Sequence, residues 1–253
     1  MNWIYDGSYA GFLTTVFESF EWKDFNARLY HKNIFSAPMF EENKTVENNP
    51  EKVIRIINGL KSRLDTTEIS NIYKVFLSED PEAIQSAFYI VQQIFKGNKD
   101  ILQNFGNSQV HLFDRTLTKV IRERHRMKAF IRFQKASDDL YFAIIEPDFN
   151  VLPLITSFFK NRYTDQKWLI YDIRRKYGMM YDRVEMREVN IKPAEVNAII
   201  PNGEAITLDE DEILYQSLWK RYFKSTNIEA RKNMKLHLQH VPRRYWKYLT
   251  EKD

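Results

Sequence analysis

The chain has 253 residues, 43% of them hydrophobic and 15% aromatic, enough to bury a core in one large domain or two small ones. Cysteine is absent, which excludes a thiol nucleophile, a disulfide, and any cysteine-held zinc or iron–sulfur site on this chain. The net charge of +4 is unevenly placed: residues 111–135 hold eight Lys/Arg against two acids and residues 215–253 hold ten against three, so two cationic segments sit on an otherwise acidic chain.

The opening MNWIYDGSYAGF has no basic stretch leading into an apolar run, so no signal peptide is expected. No apolar run approaches membrane-spanning length. The expectation is a soluble, cytoplasmic protein with no membrane partner. Residues 2–5 read as a short strand broken by Asp6-Gly7. Ser8 is placed to cap a helix carrying Tyr9, Phe12, Leu13, Val16, Phe17 and Phe20 on one side. Residues 23–49 are irregular, with one strand near 27–30.

Three helices follow. Asn49-Pro50 opens 51–64, Asp65-Thr66-Thr67 opens a second with Ile69, Ile72, Tyr73 and Phe76 on one side, and Asp80-Pro81 opens 82–96, stopped by Gly97-Asn98. This block shows no chemistry and reads as scaffold or partner surface.

Residues 114–133, DRTLTKVIRERHRMKAFIRF, carry the strongest functional signal. At 100° per residue Arg115, Lys119, Arg122 and Arg126 share an arc of about 60°, opposite Phe113, Leu117, Val120, Ile121 and Met127. One face packs inward and the other presents a row of cations spaced to meet phosphates. The same row would also suit a merely solvated helix face. Arg124 interrupts the apolar side, where a charge needs a partner, and a structural ion pair with Glu146, Asp148 or Asp172 is expected. Glu123 and His125 fall at the edges of the two faces and read as surface or interface residues.

Residues 129–134 and 140–145 read as strands joined by Ser137-Asp138-Asp139, a hairpin signal. A helix is expected over 151–163 and a buried strand over 167–172, KWLIYD. Residues 178–181 and 184–191 complete the sheet. A further helix after Asp209, Glu210, Asp211 and Glu212 leads into a basic, aromatic tail. The tail sets Arg231, Lys232, Arg243 and Arg244 beside Tyr245, Trp246 and Tyr248, the ingredients of nucleic-acid binding. The spacing of Tyr245, Trp246 and Leu249 is that of a core, so Trp246 is taken as packed and the two arginines as surface contacts. His237 and His240 lack a metal motif, and there is no phosphate-cradling glycine loop and no serine elbow. No metal or cofactor is expected, and enzymatic activity is undecided.

Five stretches, YDGSYAGFLTTVFE, RERHRMKAFIRF, IEPDFNVLPLI, FFKNRYTDQKWLIYD and ARKNMKLHLQHVPRRYWKYL, run in the order found in a bacterial DNA metabolism or DNA repair family built on a domain of unknown function, which this chain resembles along nearly its whole length. The resemblance implies a radical SAM protein of DNA modification or repair as partner. It also implies kinship with a domain joined elsewhere to uracil-DNA glycosylase. It brings no catalytic residues, and the glycosylase's cluster-binding cysteines have no counterpart here.

The expected fold is α+β: a single domain over 1–253 with a small, mostly antiparallel sheet from 129–191 plus the N-terminal strand, covered by helices. Residues 50–97 are able to form a helical subdomain inserted near the N-terminus, and 209–250 a basic C-terminal helical region. The expected function is a nucleic-acid-binding accessory factor using Arg115, Lys119, Arg122, Arg126, Arg231, Lys232, Arg243 and Arg244. The alternatives are a nucleic-acid-processing enzyme using Glu146, Asp148 and Asp172, and a protein–protein adaptor that does not touch DNA.

Overall fold

A computed structural model describes residues 1–33, 42–98, 100–136, 139–190, 212, 216–218, 220–221, 238 and 241–252. Strand β1 (Asn2–Tyr5) ends at Asp6-Gly7, and the chain turns directly into helix α1 (Tyr9–Glu21). Gly7 holds φ at +88°, and a Cβ there would stand 1.8 Å from the His31 imidazole, so both backbone and space demand glycine. Ser8 caps α1, its hydroxyl accepting from the Gly11 N–H at 2.9 Å. Strands β2 (Arg28–His31) and β3 (Asn43–Thr45) both pair parallel with β1, giving the order β2-β1-β3. A side chain completes the free edge of β2: Gln85 donates to the Ala27 carbonyl at 2.9 Å and accepts from the Leu29 N–H at 3.0 Å.

Helices α2 (Pro50–Lys61), α3 (Thr66–Phe76) and α4 (Pro81–Phe95) start at the caps read from the sequence, with Asn49, Asp65 and Asp80 each accepting first-turn N–H groups. Asp65 and Glu68 form a reciprocal capping box. Trp3, Phe12 and Phe88 are fully buried beneath these elements. The rings of Tyr9 and Phe12 meet Phe76 at 5.1 and 5.6 Å.

Helix α5 (Ser108–Phe130) is capped by Asn107, which accepts from the Gln109 N–H at 2.9 Å. The chain divides within this helix into two compact units, Met1–Ile121 and Arg122–Asp253. The second unit holds a five-stranded sheet ordered β4 (Gln134–Lys135), β5 (Leu140–Ile145), β6 (Lys167–Asp172), β7 (Tyr177–Tyr181), β8 (Met186–Val189). β5 and β6 are parallel, joined across helix α6 (Leu152–Arg162), and the other three pairings are antiparallel. The KWLIYD strand is buried from Trp168 to Asp172, as its unbroken apolar run requires.

The fold is α+β, with three corrections to the sequence expectation. The N-terminal strand belongs to its own parallel sheet, and the second sheet is mixed because α6 carries the chain back to begin β6 in the direction of β5. The predicted strand over 129–134 also does not form as such: residues 129–130 end α5, residues 131–133 belong to neither helix nor strand, and only Gln134 is in the sheet. Met127, Phe130 and Ile131 repeat at i, i+3, i+4, so α5 continues to Phe130 and the strand is reduced to Gln134–Lys135. Among the described residues no helix is long and apolar enough to cross a membrane.

Candidate nucleic-acid interface

Parallel strands β5 and β6 end together, and the segments leaving them carry Glu146-Pro147-Asp148 and Asp172-Ile173-Arg174-Arg175. The carboxyl end of adjacent parallel strands is where α/β sheets commonly hold ligands, because both chains leave it there. Here Glu146, Asp148 and Arg174 line a depression of about 390 Å³ with Arg243, Arg244 and Lys247 from the C-terminal segment. Every lining side chain is charged, four cations against two carboxylates.

The C-terminal segment is held by ion pairs at three points. Lys247 donates to Glu146 Oε2 at 2.5 Å and Tyr248 to the same oxygen at 2.8 Å. Arg244 bridges Asp148 at 2.7 Å and Glu123 at 3.1 Å. Arg132 pairs with Glu251 at 2.7 Å. Between these contacts Tyr245 and Leu249 are buried, Tyr245 lying 5.8 Å from the Phe130 ring.

Glu123 is the hub. Only 1% of it is exposed, and it accepts from the Asp148 N–H at 2.9 Å, the Tyr245 hydroxyl at 2.5 Å and Arg244 at 3.1 Å. Burial, then the bond to Glu123, pushes the Tyr245 phenol far up, so it stays a donor. Burial works against the Arg244 charge, but Tyr245, Glu123 and Asp148 more than offset it and its pKa rises.

The expectations for individual residues divide accordingly. Arg115, Lys119 and Arg122 are exposed and, among the described residues, make no ion pair. The fourth member of the row, Arg126, is half-buried with Nη1 3.8 Å from Glu123, so it is not a free phosphate donor. Arg244 is likewise committed inside the network, whereas Arg243 is exposed, its guanidinium 5.9 Å from the Trp246 ring. Arg231 and Lys232, with His237 and His240, lie outside the described residues.

The ion pair expected at Arg124 does not form with Glu146, Asp148 or Asp172. Arg124 is half-buried and its Nε has no hydrogen-bond partner, because Glu146 and Asp148 are taken by Lys247 and Arg244 and Asp172 by Arg175. Asp172 is fully buried, bonded to the Arg174 and Arg175 N–H groups and to Arg175 Nη1 at 2.9–3.1 Å. Burial nonetheless pushes its carboxyl up against the pull of Arg175. It does not line the depression, so the three carboxylates do not converge. Glu123, placed at a helix edge by the sequence, is instead a buried charge at the centre of this network. Its one signal was to be the lone acid between Arg115 and Lys135, one turn before the buried Met127. Among the described residues no group of His, Asp or Glu is arranged to hold a metal ion.

The Glu146 contacts make the segment pH-sensitive. The hydrogen bonds from Lys247 and then Tyr248 hold the Glu146 carboxyl below its usual range, while burial pushes the Tyr248 hydroxyl up to about 12. A depressed folded pKa stabilises above the ordinary carboxylate value of about 4.3 and the stabilisation is lost as pH falls through the folded value. Amide protection of residues 243–252, corrected for intrinsic exchange, is expected to fall between about pH 5 and pH 3. Glu146→Gln should flatten that dependence, and an unchanged profile in the variant would remove Glu146 as its source.

A family model described as a domain of unknown function, DUF4130, matches residues 81–251, a span that contains α4, α5 and all the elements of the second sheet. No curated protein matches the chain, and no solved structure does.

Proposed function

The chain belongs to the DUF4130 family, a domain of unknown function, so its own geometry has to carry the functional argument, and we propose that it is a nucleic-acid-binding accessory factor. The carrying observation is unneutralised positive charge on an exposed helix face. Arg115, Lys119 and Arg122 project at i, i+4 and i+7 with no ion pair among the described residues, while the cations Lys44, Lys52, Arg132, Arg175 and Lys247 are each paired with a carboxylate. A row of free cations at that spacing serves a polyanion. Within the unit Arg122–Asp253, Arg174 and Arg243 line the charged depression without an ion pair among the described residues.

Binding is favoured over catalysis because Glu146, Asp148 and Asp172 are each bonded to a cation and so are poorly placed to act as free bases. The resemblance to the DNA metabolism family supplies DNA as the polyanion and a radical SAM enzyme as the partner to which it would be presented.

Fluorescence anisotropy with labelled DNA tests the reading. The three phosphate contacts of the helix row release counterions with a log–log slope of about −2.7, so affinity should fall at least about 40-fold between roughly 50 and 200 mM salt. Absence of binding at low salt, or binding indifferent to salt, would overturn it and favour the adaptor.

A further inference from the structure

A second concavity lies within the unit Arg122–Asp253, away from the charged depression's lining. It is a groove of about 1200 Å³ between the end of α5, the 158–163 side of α6 and strands β4 and β5. Phe133, Tyr141, Phe158 and Tyr163 line it half-exposed, set against the buried Phe159 and Trp168. The rings brace one another: Phe133 stands edge-on to Phe159 and Tyr163 at 5.6 Å, and Phe159 and Tyr163 are within 9° of parallel. Such mutual bracing fixes the exposed faces, so a flat ligand would meet a rigid platform.

Cations overlie this platform. Lys128 Nζ is 4.8 Å from the Phe158 ring centroid and the Arg162 guanidinium 5.7 Å from that of Tyr163. Neither makes an ion pair among the described residues. Burial and the adjacent Arg124 charge both lower the Lys128 pKa. Glu212, the one lining carboxylate among the described residues, is occupied in accepting from the Lys135 N–H and the Gln216 amide, both at 3.1 Å. Exposed π-faces beside uncompensated cations match a ligand with flat apolar rings and repeated negative charge. The volume exceeds the roughly 300–1000 Å³ of small-molecule sites and suits several linked units.

We infer that this groove binds the bases of an unpaired nucleic-acid strand, with Phe158 and Tyr163 as stacking faces and Lys128 and Arg162 meeting the flanking phosphates. Duplex DNA cannot occupy it in this way, because its base faces are already stacked on each other. The inference rests on the nucleic-acid reading and narrows it to single-stranded or strand-separated substrate.

The test compares a labelled oligodeoxythymidine of about twelve nucleotides with an oligonucleotide of the same length that is abasic throughout. The two carry equal phosphate charge and differ in the rings alone. Wild type should prefer the thymidine strand by about 5- to 150-fold for each base that stacks. Phe158→Ala should lower that preference by at least about fivefold, the share of one stacked base, while affinity for the abasic strand stays within about twofold, charge being untouched. Phe158→Leu, which keeps apolar volume in case the alanine variant fails to fold, should lower the preference as well. Equal, salt-sensitive affinity of wild type for both strands would overturn the groove and leave the nucleic-acid reading standing. A preference that survives in the folded variants would also overturn the groove. No binding of either strand at low salt would overturn both.

Discussion

Glu123→Ala is expected to destabilise the unit Arg122–Asp253 by about 3 kcal/mol, lowering its Tm by roughly 6–12 °C. The carboxylate is buried and satisfies the Asp148 N–H, the Tyr245 hydroxyl and one side of Arg244. Its removal strands a buried phenol and a backbone donor, each costing about 1–3 kcal/mol when unsatisfied. The Arg244 contribution is smaller, because that side chain is 39% exposed and keeps Asp148 at 2.7 Å. Glu123→Gln retains an acceptor and should lose about half as much. Urea unfolding followed by circular dichroism measures both. The alanine variant should in addition expose Arg243, Arg244 and Lys247 to trypsin, since the segment carrying them is held through this hub. An alanine variant within about 0.5 kcal/mol of wild type would mean that the hub is held by the surrounding apolar contacts instead.

The second large effect is on affinity. Arg115→Ala, Lys119→Ala and Arg122→Ala together remove three exposed charges that make no ion pair among the described residues, so no folded-state interaction is lost and stability should change little. If each meets a phosphate, the log–log salt slope flattens by about 2.7 and affinity for duplex DNA at about 0.1 M salt falls 10²–10³-fold. Arg126→Ala should instead behave as a stability variant, because Arg126 leans on Glu123. A triple variant that keeps the wild-type slope would show that the helix face is merely solvated. Binding would then have to be sought at Arg174 and Arg243 in the charged depression.

What the sequence by itself determined is what short-range chemistry encodes. The caps Ser8, Asn49, Asp65 and Asp80 were legible because a capping bond joins residues two or three apart. The apolar run of β6 was legible because a short, continuous apolar run of six residues is too brief for a buried helix and suits a buried strand. The exposed positions of Arg115, Lys119 and Arg122 followed from helical period alone. The tertiary structure decided the rest. The end of α5 was ambiguous because Met127, Phe130 and Ile131 fit a helix while the residues beyond them alternate like a strand. The parallel pairing of β5 and β6 depends on where α6 returns the chain, which no local pattern states. Two of the partners of Glu123 lie 121 and 122 residues away in sequence, and a carboxylate at a helix edge looks the same from the sequence whether water or a distant arginine will face it. The rings of the aromatic groove come from three separate segments, around 133, 141 and 158–163. Only the closure of the chain sets them side by side, half-covered, beside cations that make no ion pair among the described residues.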